Sequence, residues 1–171
     1  APNFELLNID KSFIGLNDIK GKNGTLICFI CNHCPYVKAI INKLATDNPD
    51  LEFILPIHPN PNVQKHKHLL THVSVVEPLS HPELLEILVK CKLVISDSGG
   101  LQEEGSFFNK KVIVCRETTE RPEAIDTGHL YLCPSPLGLE SKFGDLINGY
   151  YIDAPCPYGD GKSSFKIKNI V

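Results

Sequence analysis

Short apolar runs recur along this chain, and helical patterns separate them. That rhythm restricts the fold more than any other feature. The runs fall at 25–30, 52–57, 73–76, 93–96, 111–114 and 130–132. The first, Thr25-Leu26-Ile27-Cys28-Phe29-Ile30, is continuously apolar, as parallel strands buried on both faces are. Between the runs the period changes. Val37, Ile40, Ile41 and Leu44 recur at helical spacing after Pro35, which suits a first helical position. Asn60 and Pro61 form a cap and first turn, and Ser80-His81-Pro82-Glu83 is a capping box for a helix through Leu88. Further helices are expected at 121–127, 139–149 and 162–170. Units of roughly twenty residues, strand then helix, predict an α/β fold: a parallel sheet with right-handed crossovers. Residues 1–24 carry two short apolar runs, which suggests a hairpin and a loop.

One strand–turn–helix junction carries chemistry. After Leu93-Val94-Ile95 comes Ser96-Asp97-Ser98-Gly99-Gly100-Leu101-Gln102-Glu103-Glu104. Backbone N–H groups at such a helix start, with the helix dipole behind them, suit an anion. Gly99 and Gly100 admit a phosphate to the backbone, and Ser98 adds a hydroxyl. Glu104, on the first turns of the same helix, can accept both hydroxyls of a ribose. An ordinary βα turn is built of the same small residues, so the turn alone does not decide.

The chain has 171 residues, enough for one good-sized domain, with 42% hydrophobic and 22% charged residues. A formal charge of −3 and no lysine-rich face argue against nucleic acid as a partner. No apolar run approaches the ~20 residues that cross a bilayer, so no membrane partner is expected. The start, Ala1-Pro2-Asn3-Phe4-Glu5, is not a signal peptide, and seven cysteines fit reduced thiols, so a cytoplasmic location is expected. With no methionine, the chain is expected to begin after processing or at a fragmentary end.

Three motifs in this order, SDSGGLQEE at 96–104, RETTERPEA at 116–124 and PYGDG at 157–161, resemble the carboxyl-terminal half of the non-hydrolysing UDP-N-acetylglucosamine 2-epimerases. The HPNPNV stretch at 58–63 resembles a further signature of that family. The resemblance runs from about residue 48 to 171. It implies a Rossmann-like parallel sheet with helices on both faces, the second domain of a glycosyltransferase-B-like fold, binding UDP or UDP-N-acetylglucosamine without metal or other cofactor. On that resemblance the substrate-binding residues are His58, Ser98, Gly99, Gly100 and Glu104, with Arg121 on the diphosphate. Arg116 ranks below Arg121, as a strand-end residue. The family's acid–base carboxylates lie mainly in a first domain, so no catalytic base is assigned here. A separate first domain or a homodimer partner would have to complete the enzyme.

Residues 1–47 resemble a different family, the peroxiredoxin-like branch of the thioredoxin superfamily, through AP-F-LL and FICNHCPYVKAI. A CxxC at a helix start lowers a thiol pKa, so Cys31 and Cys34 are redox candidates. Metal ligation and inert replacement are the alternatives. Cys28 and His33 do not complete a convincing zinc set, and inert thiols are the leading view. The further strands and the facing proline loop of a thioredoxin are missing, so the segment is expected to join the same sheet as the rest. His68 and His72, spaced i, i+4 on an expected helix, read as a solvated face. A thiol–disulfide oxidoreductase, or a fusion without evolved activity, stands as the alternative function.

Overall fold

The computed structural model describes residues 5–7, 12–15, 22–29, 35–57, 61–64, 67–149 and 151–169. Strands β1 (Glu5–Leu7) and β2 (Phe13–Gly15) pair antiparallel, as the hairpin expectation requires. The alternation then begins: β3 (Gly24–Phe29), α1 (Pro35–Asp47), β4 (Leu51–Pro56), α2 (Pro61–Gln64), β5 (Ser74–Val76), α3 (His81–Lys90), β6 (Leu93–Ser96) and α4 (Gly99–Phe107). It continues with β7 (Val112–Val114), α5 (Glu123–Asp126), β8 (Leu130–Leu132), α6 (Leu139–Ile147) and α7 (Ser163–Lys168).

Six strands form one parallel sheet in the order β5-β4-β3-β6-β7-β8. The chain steps outward from β3 to β4 and β5, then returns to place β6 beside β3. Open α/β sheets bind ligands at such a reversal, here beyond the carboxyl ends of β3 and β6. The strand that ends in the CxxC segment is therefore central to the sheet, paired to β4 from Gly24 to Ile27 and to β6 from Leu26 to Phe29.

Each face of the sheet carries its own core. One buries Ile41 and Leu44 of α1 with Phe53, Ile95, Ile113, Phe143 and Leu146. The Phe53 and Phe143 rings lie 5.9 Å apart. The other buries Ile87 and Leu88 of α3, Leu101 of α4 and Ala124 of α5 against Val94, Val112 and Val114. Burying one such aliphatic or aromatic side chain contributes about 1.5–3 kcal/mol. Helix α4 packs closely on β7, since a Cβ at Gly105 would lie 2.7 Å from Val112 Cγ2. The helix ends on Asn109, whose φ of 56° and N–H bond to the Ser106 carbonyl (3.0 Å) make a left-handed stop.

Two local expectations need correction. The helix expected at 121–127 is only the single turn Glu123–Asp126, entered at Pro122 and ended after Thr127 by Gly128, whose φ of 75° turns the chain out of the helix. His68 and His72 do not share a helix. His68 lies in a 3-10 turn, Lys67–Leu69, and His72 in a bend where its Nδ1 sits 3.2 Å from Thr46 Oγ1. The segment has too little apolar periodicity to hold a longer helix on the sheet. Among the described residues no helix is long and apolar enough to cross a membrane.

Candidate functional site

The site grows from the carboxyl end of β6. Ser96 is fully buried, and its hydroxyl accepts the Ser98 N–H at 3.0 Å, turning the chain sharply out of the strand. Ser98 then caps α4 in extended geometry, and its side chain makes no capping hydrogen bond. The first intrahelical bond runs from the Gln102 N–H to the Ser98 carbonyl, so the N–H groups of Gly99, Gly100 and Leu101 have no partner within the helix. With the hydroxyl of Ser98 not spent on them, they form an anion-ready end.

Arg121 stands over that end. A Cβ at Gly99 would come within 2.6 Å of Arg121 Nη1 and 2.9 Å of its Cζ. Only glycine lets the guanidinium lie this close to the helix start. Arg121 Nε donates to Glu103 Oε1 and Nη1 to Glu120 Oε1, both at 2.5 Å. Glu103 is four residues after Gly99, so the guanidinium lies along one face of the first turns of α4. Glu120 also accepts from Arg116 Nη1 at 3.0 Å through its second oxygen, so the two arginines share one carboxylate. The Glu103 bond, ahead of other causes, raises the Arg121 pKa, and a backbone N–H bond with the arginines lowers that of Glu120. The bonds to Glu103 and Glu120 use two of the five donors of a guanidinium.

Buried groups hold the loop that carries Arg121. Thr119 Oγ1 donates to Gln102 Oε1 at 2.5 Å and accepts the Arg121 N–H at 3.1 Å. Gln102 is fully buried, and its Nε2 has no hydrogen-bond partner among the described residues. From the other side the Tyr158 hydroxyl donates to the Arg121 carbonyl at 3.2 Å. Burial, with the Glu123 charge, pushes the Tyr158 pKa up to about 12. The PYGDG motif thus does more than turn, although Gly159 and Gly161 do turn, with φ of 97° and 74°.

Glu104 faces α3 rather than Arg121, and its Oε1 lies 2.8 Å from His81 Nε2. It stands five residues along the helix from Gly99, a rise of about 7.5 Å. Ser98, Gly99, Gly100 and Arg121 thus meet at one helix start, with Glu104 farther along the same helix. His58, Cys31 and Cys34 lie outside the described residues. Sequence reading missed Gln102, Thr119 and Tyr158 as supports, and Glu103, Glu120 and His81 as partners. Gln102 and Thr119 sit inside motifs already singled out, which was the available signal. Among the described residues no group of three or more His, Cys, Asp or Glu converges on a metal position. Clefts of about 420 and 450 Å³ lie elsewhere, the first between α1 and α6 and the second near Asp50 and Lys92.

Known proteins are similar to this chain in sequence and fold. A family described as UDP-N-acetylglucosamine 2-epimerase matches residues 32–171, beginning nearer the amino end than the motifs alone placed it. The UDP-N-acetylglucosamine 2-epimerase of Campylobacter jejuni is 41% identical over 138 residues, covering 75% of this chain and 36% of that protein. That of Salmonella borreze is 33% identical over 173 residues, covering 94% of this chain and 44% of its own length. Among solved structures, UDP-GlcNAc 2-epimerase from Neisseria meningitidis bound to UDP-GlcNAc superposes with a TM-score of 0.80 at 32% identity, covering 91% of this chain and 46% of that one. The S. aureus MnaA–UDP structure gives 0.77 at 27% identity, covering 86% and 45%. The chain therefore spans less than half the length of each of these relatives.

Proposed function

Because the chain belongs to the UDP-N-acetylglucosamine 2-epimerase family, we propose that it is the UDP-holding half of such an enzyme, converting UDP-N-acetylglucosamine to UDP-N-acetylmannosamine only when a first domain is present. The observation that carries this reading is the meeting of Arg121 with the open start of α4 over Gly99. The N–H groups of Gly99 and Gly100, with the Ser98 hydroxyl, would hold a phosphate. Arg121 would bind the diphosphate as a forked cation, and Glu104 the ribose hydroxyls. His58, two positions after the last residue of β4 in the sequence, is the remaining member of the proposed set.

Binding is expected to be weak, since a ligand that sits between two domains would meet one and leave much of its surface in water. Turnover is expected to be absent. Inverting carbon 2 needs a base within hydrogen-bond reach of its proton, and no residue of this chain is assigned that task. Calorimetry with UDP on this chain and on Arg121→Ala tests the binding half, and no heat at millimolar UDP would remove it. Solvent deuterium appearing at carbon 2 would remove the other half.

The thiol reading has one observation in its favour. Helix α1 begins at Pro35, the residue that follows Cys34 in the sequence, and a thiol at a helix start gains dipole stabilisation of its thiolate. Insulin reduction at a thioredoxin's rate would promote this second reading, in which residues 1–47 derive from a peroxiredoxin-like protein. Its absence leaves the cysteines as replacements in a nucleotide-binding sheet.

A further inference from the structure

Resting on the reading of Glu104 as the ribose carboxylate, we propose that His81 is a positioning residue of the nucleotide site, fixing that carboxylate in the orientation that receives the ribose. His81 Nε2 and Glu104 Oε1 lie 2.8 Å apart, joining α3 to α4. An ionised carboxylate only accepts hydrogen bonds, so Nε2 carries the proton of this bond whether the ring is neutral or charged.

Local chemistry fixes where the donor stands. The Glu83 Oε2 atom accepts the Ser80 N–H at 2.7 Å and the Ser80 hydroxyl at 2.5 Å, closing the capping box. Pro82 sets the backbone of the first turn. His81, between them, is the first residue of α3, and its ring reaches across to Glu104. The ring is not there for the core: its side chain is 65% exposed, against 30% for Glu104. A contact so exposed contributes little to folding.

Its consequence lies in order. A glutamate side chain turns about three bonds, and a ligand that binds it must stop that motion. Tied at one oxygen to His81, Glu104 has already stopped. The bond leaves capacity for two hydroxyls, because an ionised carboxylate offers about four acceptor positions. His81 therefore improves ribose binding through Glu104 without touching the nucleotide.

Calorimetry of the full chain with UDP and with 2′,3′-dideoxyuridine diphosphate tests this on His81→Ala, His81→Gln and Glu104→Ala. His81→Ala is expected to weaken UDP by about two- to tenfold, the range for losing one pre-ordered side chain. It is expected to leave the dideoxy ligand unchanged, and His81→Gln, which keeps an N–H donor, to recover part of the loss. Equal weakening of both ligands, or UDP binding as tight as the parent's, overturns the role of His81. A Glu104→Ala variant that still prefers UDP over the dideoxy ligand overturns the ribose reading beneath it, and His81 falls with it.

Discussion

Substituting alanine for Gly99 separates the stability of the fold from the chemistry proposed for it. The new methyl group would sit 2.6 Å from Arg121 Nη1, 2.9 Å from Cζ and 2.9 Å from Glu120 Oε1. All three atoms are ends of long side chains, and they move aside. Gly99 has no positive φ, so alanine fits its backbone. Swinging Arg121 away loosens its bonds to Glu103 and Glu120, and pairs so open to water contribute little to stability. Alanine returns about 0.4–1 kcal/mol by restricting the unfolded chain. The two effects are small and opposed, so unfolding in urea should shift by less than about 1 kcal/mol. Nucleotide binding has no such compensation. A hydrogen bond to a charged group is worth about 1.5–3 kcal/mol, and displacing Arg121 from the helix start should weaken UDP by roughly tenfold or more.

Gly105, on the same helix, is the control. A Cβ there would meet Val112 Cγ2 at 2.7 Å, and Val112 is fully buried on β7. Neither the strand nor the helix can yield cheaply, so Gly105→Ala should destabilise by about 1–3 kcal/mol, as overpacking does. The folded fraction should bind UDP as the parent does. Urea unfolding and calorimetry on both variants decide the matter. A Gly99→Ala protein that binds UDP like the parent, or that loses as much stability as Gly105→Ala, would refute the reasoning.

Three further outcomes are expected. His129 is buried, with Nδ1 2.8 Å from Thr127 Oγ1 and Nε2 3.2 Å from Asn109 Oδ1, and burial lowers its pKa from 6.5. Its stabilisation is therefore complete above about pH 6.5 and falls as pH drops through the lower folded value, so the stability gap to His129→Gln should narrow on acidification; a widening gap in urea titrations would contradict this. Burial pushes Cys91 and Cys115 up to about 12 and Cys28 well above its usual value, so mass spectrometry after maleimide treatment at neutral pH should find them unlabelled until urea is added, and fast native labelling of Cys115 would count against it. Glu120→Gln removes a charge from the Arg121 network, and calorimetry should show tighter UDP binding, with weaker binding as the contrary result.

The sheet was legible because its signals are local. β6 reads as an unbroken apolar run, the Ser80–Glu83 capping box fixes the start of α3, and the Gly99-Gly100 turn has to follow a strand to make sense. The rhythm gave a parallel sheet with crossovers of one hand, but not the order β5-β4-β3-β6-β7-β8, since nothing local says where the chain turns back to lay β6 beside β3. What escaped depends on approach between distant segments. Nothing in residues 102 and 119 alone says that a glutamine amide will meet a threonine hydroxyl inside the protein. The bond from Tyr158 to the Arg121 carbonyl spans 37 positions, and His81 meets Glu104 across 23. The His68–His72 helix failed for the opposite reason: an i, i+4 pattern of polar residues was read as structure where no apolar face exists to hold it.

Those long-range partners also bear on how tightly one wall of such a site could hold a diphosphate. Arg121 is not a free cation. Glu103 and Glu120 neutralise it, Glu120 is shared with Arg116, and Asp97 and Glu104 lie on the same turn and helix. Carboxylates outnumber arginines around the start of α4. An approaching diphosphate is attracted by the open N–H groups and the helix dipole, a contribution of about 0.3–1 kcal/mol at an exposed end. It is repelled by the carboxylates over distances that salt screens beyond about 10 Å. For the phosphate to win, Arg121 must turn donors toward it while keeping its hold on Glu103, or cations must arrive from an opposing wall. The first route leaves binding weak and makes Glu120 an internal competitor for the guanidinium. The second makes affinity a property of two walls together, so a partner that brings positive charge to the carboxyl ends of β3 and β6 would raise UDP affinity without altering a residue of this chain.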